Sequence, residues 1–74
     1  MELKIPRLAI SMQEGTLVEW LVADGDEVAS GALIYLLEAD KVENEIEAPI
    51  GGSIRLLAEQ GNTYPVGTTI AEIV

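Results

Sequence analysis

Lys41 is the one basic residue in a stretch, EADKVENEIEAP (residues 38–49), that contains five acidic side chains. A lysine amine can act as a base, as a covalent catalyst or as a point of attachment for another group. Catalytic lysines rely on burial or on cationic neighbours to free the amine of its proton. An exposed position among carboxylates provides neither, which favours attachment. A surface lysine that only offsets nearby negative charge is the simpler alternative.

The rest of the chain offers little other chemistry. It has no His and no Cys, which excludes imidazole-based triads, thiol nucleophiles and the usual zinc ligands. Its net charge of -9 disfavours nucleic acid or an anionic membrane as a partner. Asp24-Gly25-Asp26 lacks the spacing of a calcium loop and predicts a turn. A hydrolase built on carboxylates alone would need a pocket, which the acidic stretch does not predict, so we expect neither a catalytic centre nor a metal site.

The elements that position Lys41 belong to a chain of 74 residues, which predicts one small domain over residues 1–74. Seven Gly and three Pro, with no sustained helical period among the apolar residues, predict an all-β fold of short strands and tight turns. The first strand ends at Pro6 and is expected at a sheet edge. The predicted strands are residues 3–5, 15–22, 27–31 (a very short strand and turn), 33–39, 42–48, 53–57, 63–64 and 70–73.

Two segments of the chain are similar to each other. GTLVEWLVADGDEVASGALI (residues 15–34) aligns with GSIRLLAEQGNTYPVGTTI (residues 52–70) when one residue is left out. Two copies of one strand-turn-strand unit predict two similar halves packed face to face, because neither half could bury its apolar face alone. Three pairs of glycines coincide in this alignment, Gly15 with Gly52, Gly25 with Gly61 and Gly31 with Gly67.

The acidic stretch is predicted to form a hairpin with Lys41 at its tip. Side chains alternate between the two faces of a strand, so Val42, Asn44 and Ile46 share one side and three glutamates share the other. The glutamates must face water, since burying unpaired carboxylates is costly. A two-residue hairpin loop favours Asn-Gly or Asp-Gly, because both residues adopt positive φ. Here Lys41 holds the glycine position, so either the turn is of another type or turn preference has yielded to the side chain.

These features together resemble the lipoyl-attachment motif of lipoyl domains, which belong to the acyltransferase components of 2-oxo acid dehydrogenase complexes. EADKV at the hairpin tip and EAP at residues 47–49 carry the resemblance. Residues 6–8 and 11–16 (PRL and SMQEGT) are similar to the family's first loop, and residues 22–28 and 61–67 to its paired turns. The resemblance covers essentially the whole chain. It implies a flattened barrel-sandwich hybrid of two four-stranded antiparallel sheets with pseudo-two-fold symmetry.

The resemblance also implies a carrier that is not catalytic alone. Lipoate would be joined by an amide bond to the amine of Lys41, and this swinging arm would carry acyl groups and electrons. The implied partners are a lipoate ligase or lipoyl transferase, a thiamine-dependent decarboxylase, the acyltransferase core and dihydrolipoamide dehydrogenase. Glu38, Asp40 and Val42 are expected to guide the modifying enzyme. The loop expected near the tip, where it would contact the decarboxylase, consists of Leu8, Ala9, Ile10, Ser11, Met12 and Gln13.

Alternatives remain for the function and for the first loop. A biotin carboxyl carrier domain has a similar fold but usually has Met on both sides of its lysine, whereas Asp40 and Val42 flank Lys41. An unmodified barrel-sandwich domain used only for protein contacts would not need the lysine. Ordinary packing of the apolar side chains of the first loop competes with partner contact.

Two departures from the family pattern carry expectations of their own. Asn44 lies on the inward side of its strand, where an apolar residue is common, and it needs a hydrogen-bond partner if buried. With that asparagine, the motif is similar to those of acetoin dehydrogenase lipoyl domains. Ile34 and Leu36 are apolar on a face that relatives often keep polar, which predicts a contact surface.

Location and assembly are predicted from the same composition. No apolar run approaches the roughly 18 residues of a membrane span, and the N-terminus resembles neither a signal nor a transit peptide. We expect a monomeric domain in the cytoplasm, or in the mitochondrial matrix of a eukaryote. It is either free-standing or part of a longer chain.

Overall fold

The computed structural model describes residues 1–74 as an all-β fold. Its eight strands are β1 (Glu2–Lys4), β2 (Glu14–Trp20), β3 (Glu27–Val28), β4 (Leu33–Ala39), β5 (Val42–Glu47), β6 (Gly52–Leu56), β7 (Thr63–Pro65) and β8 (Thr69–Ile73). They form two four-stranded sheets, with strand orders β1-β8-β6-β3 and β5-β4-β2-β7, and all neighbouring strands are antiparallel. The predicted fold class is confirmed, and β1 lies at a sheet edge as expected. The fold contains no helix that could cross a membrane.

The internal repeat relates the two sheets. Exchanging β1–β4 with β5–β8 turns the strand order of one sheet into that of the other. Contacts repeat in the same way: the amide of Gly25 donates to the carbonyl of Ile54 at 2.7 Å, and the amide of Gly61 to the carbonyl of Leu17 at 2.6 Å. Both glycines have a φ of 89°, which a residue with a Cβ adopts only under strain. The predicted pseudo-two-fold symmetry is therefore present in the backbone.

The core is a single cluster of 13 buried apolar residues. Leu, Ile, Val and Ala dominate it, with Tyr35 as its one aromatic side chain. Half-buried Trp20 packs against that ring edge-on, with ring centroids 5.3 Å apart. No buried polar side-chain atom lacks a hydrogen-bond partner. The members of the cluster are Leu3, Ile5, Met12, Leu17, Val28, Ile34, Tyr35, Leu37, Ala48, Ile54, Ile70, Ala71 and Ile73.

A bulge in β4 changes which of its residues are buried. The register with β5 shifts between Leu33 and Tyr35. Because of this extra residue, Ile34 and Tyr35 are both buried although they are adjacent. The contact surface predicted at Ile34 and Leu36 is therefore wrong for Ile34, which belongs to the core, and Leu36 is half-buried.

Candidate functional site

The β4–β5 hairpin carries Lys41 at its tip, as predicted. Strand pairing continues to Ala39 and Val42, so Asp40 and Lys41 alone form the loop. Asp40 has a φ of 51° and Lys41 a φ of 65°, and no other residue with a Cβ has positive φ. Positive φ at both loop positions is the type I′ geometry, whose twist matches that of a hairpin. The turn is therefore the one that favours Asp-Gly, with Lys41 in place of the glycine.

Lys41 is held in a conformation that glycine would adopt more easily. The left-handed region costs a residue with a Cβ roughly 1–2 kcal/mol. At its other positions of positive φ the chain uses glycine, as at Gly25, Gly31 and Gly61. Backbone strain tends to persist where function requires a particular side chain. The strain at Lys41 thus marks the same residue that the composition singles out.

Lys4 is the only other lysine and serves as a comparison. It lies in edge strand β1, where it pairs with Thr69 of β8, and it is exposed. Lys41 is exposed as well, so exposure does not distinguish the two amines. The difference lies in the backbone, which is an extended strand at Lys4 and a two-residue turn at Lys41.

The residues predicted to guide a modifying enzyme surround the tip. Glu38 and Asp40 are exposed, and Val42 is 58% exposed. Glu38 lies directly opposite Glu43 in the pairing of β4 with β5. Two like charges in this position repel each other and both stay in water. The tip therefore combines the amine of Lys41, the exposed carboxylates of Glu38, Asp40 and Glu43, and the exposed apolar side chain of Val42.

The first loop lies beside the tip, as predicted. An open groove of about 210 Å³ separates the loop from the hairpin, and we name it the tip groove. Five of its seven lining residues are hydrophobic. The loop contributes Leu8, Ala9 and Met12, and the hairpin contributes Ala39, Asp40, Val42 and Asn44.

Arg7 holds the first loop in shape. Its Nη1 donates to the carbonyl of Ile10 at 3.0 Å and to the carbonyl of Met12 at 2.7 Å. The Met12 amide donates to the carbonyl of Ala9 at 3.0 Å, and the Leu8 amide to Met12 Sδ at 3.2 Å. In the sequence, Arg7 is distinguished only as one of two arginines and by its place after Pro6, so its function follows from the structure alone.

The apolar residues of the first loop have different environments. Met12 is buried in the core cluster, whereas Ile10 is 96% exposed and Leu8 is 45% exposed. Packing therefore accounts for Met12 but not for Ile10. An isoleucine that is held in water by an ordered loop is free for contact with another molecule.

Asn44 has the hydrogen bonds that its half-buried position requires. Its Nδ2 donates to the carbonyl of Leu37 at 3.4 Å and to the carbonyl of Val42 at 3.3 Å. Both acceptors lie in the hairpin, one in each strand. The side chain that departs from the family pattern thus helps to hold the two strands together near the tip.

Asp24-Gly25-Asp26 is a turn, as predicted. Asp26 Oδ2 accepts a hydrogen bond from the Ala23 amide at 2.8 Å, and Asp24 Oδ1 accepts one from the Leu56 amide at 2.9 Å. Both carboxylates therefore accept hydrogen bonds from backbone amides and stabilise the turn. No group of three or more potential ligand side chains is placed to hold a metal ion.

Known proteins resemble the chain along almost its whole length. The family model Biotin_lipoyl, described as "Biotin-requiring enzyme", matches residues 1–73. The chain is 45% identical to the dihydrolipoyllysine-residue succinyltransferase component of the 2-oxoglutarate dehydrogenase complex of Staphylococcus saprophyticus, over 97% of the chain and 17% of that relative. It is 37% identical to the acetyltransferase component of the acetoin cleaving system of Pseudomonas putida (97% and 20%). Identity to the acetyltransferase component of the pyruvate dehydrogenase complex of Corynebacterium glutamicum is 38% (97% and 11%), so the chain spans a fifth or less of these relatives.

Proposed function

The chain belongs to the Biotin_lipoyl family, and we propose that it is a lipoyl carrier domain with Lys41 as its attachment residue. In this function the domain supplies no catalytic residue of its own. It presents lipoate, linked through an amide, to the active sites of a 2-oxo acid dehydrogenase-type complex. The observation that carries the proposal is the strained type I′ turn, which places a lysine in the position that glycine favours.

The residues at the tip fit an amide-linked acyl group. In attachment, ATP first activates the carboxyl group of lipoate as an acyl adenylate with release of pyrophosphate. Nζ of Lys41, after loss of its extra proton, then attacks the carboxyl carbon; the C–N bond forms, the bond to AMP breaks and AMP leaves. A neutral amide thereby replaces a cation. The exposed carboxylates of Glu38 and Glu43 keep the tip hydrated after that charge is lost. The bound dithiolane supplies the redox and acyl-transfer chemistry, so the chain needs neither Cys nor His.

The short turn supports recognition by a modifying enzyme. Because strand pairing extends to Ala39 and Val42, the loop has little freedom to move relative to the sheet. A lipoate ligase or lipoyl transferase can therefore recognise the amine of Lys41 by its fixed position relative to Glu38, Asp40 and Val42. We assign these three residues the function of guiding that enzyme.

The first loop is the proposed contact for the thiamine-dependent decarboxylase. It lies across the tip groove from the attachment residue, and Arg7 orders it. Exposed Ile10 offers an apolar contact beside the arm. The acyltransferase core and dihydrolipoamide dehydrogenase are the other proposed partners, and the names of the relatives support such a complex.

Lipoate is favoured over biotin by two observations. Asp40 and Val42 flank the lysine in place of the methionines typical of biotin carriers. The relatives named above are dihydrolipoyllysine proteins. An unmodified interaction domain would have no reason to keep a strained lysine at the tip.

Parallel modification reactions test the proposal. The domain is incubated with a lipoate ligase, ATP and lipoate, or with a biotin ligase, ATP and biotin. The mass of each product is then measured by intact-mass spectrometry. We expect one lipoyl group on the wild type and on Lys4→Arg, none on Lys41→Arg, and no biotin on any of them. Biotin addition to the wild type would favour the biotin carrier, and no addition from either enzyme would favour the interaction domain.

A further inference from the structure

We propose that the tip groove is a docking site for the arm on Lys41, into which the alkyl chain and dithiolane of a lipoyl group fold back between encounters with partners. This docking rests on the proposed function, because it requires the arm to be present. It adds a resting position to an arm that otherwise only extends into solvent.

The attachment residue stands at the rim of the groove. Asp40 and Val42 both line the groove, and Lys41 lies between them in the chain. A group linked to Lys41 is therefore tethered beside the site, and its docking is intramolecular. Tethering gives a high effective concentration, so a shallow groove can hold a group that it would not bind from solution.

The lining of the groove matches the arm in polarity. Leu8 and Val42 leave 45% and 58% of their surfaces exposed, and Ala9 is exposed as well. A neutral chain of methylene groups that covers these surfaces removes apolar area from water on both sides. Met12, which is buried below these side chains, adds an apolar side chain to the lining of the groove. The free ammonium of an unmodified Lys41 has no such match, so docking would begin only after attachment.

The groove is already formed before the arm arrives. Arg7 fixes the loop wall through the carbonyls of Ile10 and Met12. Met12 also packs closely under the loop, since a Cβ placed on Gly15 would lie 3.0 Å from Met12 Cε. Closing a loop over a ligand usually costs free energy because the loop must be ordered. Docking in the tip groove requires little such ordering, since the loop is already held.

Other occupants fit the groove less well. A second copy of the chain would bring a second net charge of -9 to an acidic tip, which opposes self-association. A partner protein that filled the groove would compete with the arm it is meant to receive. The tethered arm has neither difficulty.

NMR spectroscopy of the lipoylated chain tests the docking. After intact mass has shown one lipoyl group, we expect nuclear Overhauser effects between the arm and the methyl groups of Leu8 and Met12. Amide shifts should change in residues 8–12 and 39–44, and should not change near Gly31 at the turn β3–β4. Free lipoamide in the same buffer gives the reference spectrum of an undocked arm.

A matched pair of variants controls for the added charge. Ala9→Asp places a carboxylate in the groove, and Ala29→Asp places one at a site outside it. Both alanines are exposed, and each accepts a backbone hydrogen bond at 3.0 Å, from Met12 and from Ala32 respectively. We expect Ala9→Asp to abolish the contacts between arm and groove, and Ala29→Asp to retain them.

The outcomes separate the docking from the carrier function. No lipoyl group by mass would refute the carrier function, and the docking with it. A lipoyl group whose resonances match free lipoamide, with shifts only at residues adjacent to Lys41, would overturn the docking and leave the carrier function intact. Equal loss of contacts in both variants, or groove shifts that appear only when a decarboxylase is added, would also overturn it.

Discussion

Replacing Lys41 with glycine should make the unmodified domain more stable, although it removes the proposed attachment residue. Lys41 has a φ of 65° in the glycine position of a type I′ turn. Lys41→Gly relieves that strain without a change in strand pairing, because the loop contains only Asp40 and this residue. The substitution would also convert the turn to Asp-Gly, which this geometry favours.

The magnitude follows from one stabilising effect and two smaller effects that oppose it. Release of the left-handed strain is worth roughly 1–2 kcal/mol. The greater freedom of glycine in the unfolded chain returns roughly 0.5–1 kcal/mol of this. Loss of an exposed amine among carboxylates removes at most a few tenths of a kcal/mol. We therefore expect a net gain of about 0.5 kcal/mol, which corresponds to a rise in Tm of about 2–4 °C for a domain of this size.

Thermal and urea unfolding monitored by circular dichroism measure this change. Lys41→Ala is the matched control, since it removes the same amine but keeps the Cβ and the strain. We expect Lys41→Ala to match the wild type or fall slightly below it, and Lys41→Gly to exceed both. Equal stability of the glycine and alanine variants would refute the idea that the backbone at Lys41 is strained.

Further predictions concern the loop, the turns and the core. Arg7→Lys keeps the charge but replaces the planar guanidinium, whose Nη1 donates to two carbonyls, so amide hydrogen exchange should accelerate in the first loop while the Tm changes little. Unchanged exchange would contradict the ordering of that loop by Arg7. At Gly52, where φ is 149°, a Cβ would lie 2.6 Å from a backbone carbonyl oxygen, so Gly52→Ala should lower the free energy of unfolding by roughly 2–4 kcal/mol. Gly25→Ala meets no atom within 4 Å and should lose only roughly 1–2 kcal/mol in the same urea titration, so equal losses would argue against the steric clash. Burial raises the pKa of Tyr35 from 10.0 to about 12, so the stability from its neutral form is complete below pH 10 and is lost as pH rises toward 12. That loss is on the order of 2 kcal/mol. The urea midpoint, measured below pH 10 and again near pH 12, should therefore fall less in Tyr35→Phe than in the wild type.

The features that the sequence predicts well depend on short-range patterns. Alternation in β5 places Glu43 and Glu45 in water and Ile46 toward the interior, as observed. The aligned glycines at Gly25 and Gly61 predict equivalent turns, and their φ values agree. Each of these predictions needs only the two-residue period of a strand or the freedom of a glycine.

The remaining features depend on contacts that no short pattern encodes. The bulge that buries Ile34 is set by the register between β4 and β5, which alternation within one strand does not reveal. Arg7 acts through carbonyl groups, which every residue has, so the sequence gives no sign of its partners. The turn at Lys41 could not be assigned in advance because local turn preference favours glycine there, whereas the proposed function requires a lysine. Only the observed φ values show that the turn keeps the glycine-type conformation with a lysine in it.

Moving the lysine by a single position tests the central claim most directly. The wild type and the double variant Asp40→Lys, Lys41→Asp have the same composition, and both are incubated with lipoate ligase, ATP and lipoate before tandem mass spectrometry of their peptides. We predict that the wild type carries lipoate on Lys41 alone, with Lys4 and the N-terminal amine unmodified, and that the double variant is poorly modified. Lipoate on Lys4, or equal modification of the double variant, would contradict the claim that the tip position selects this lysine.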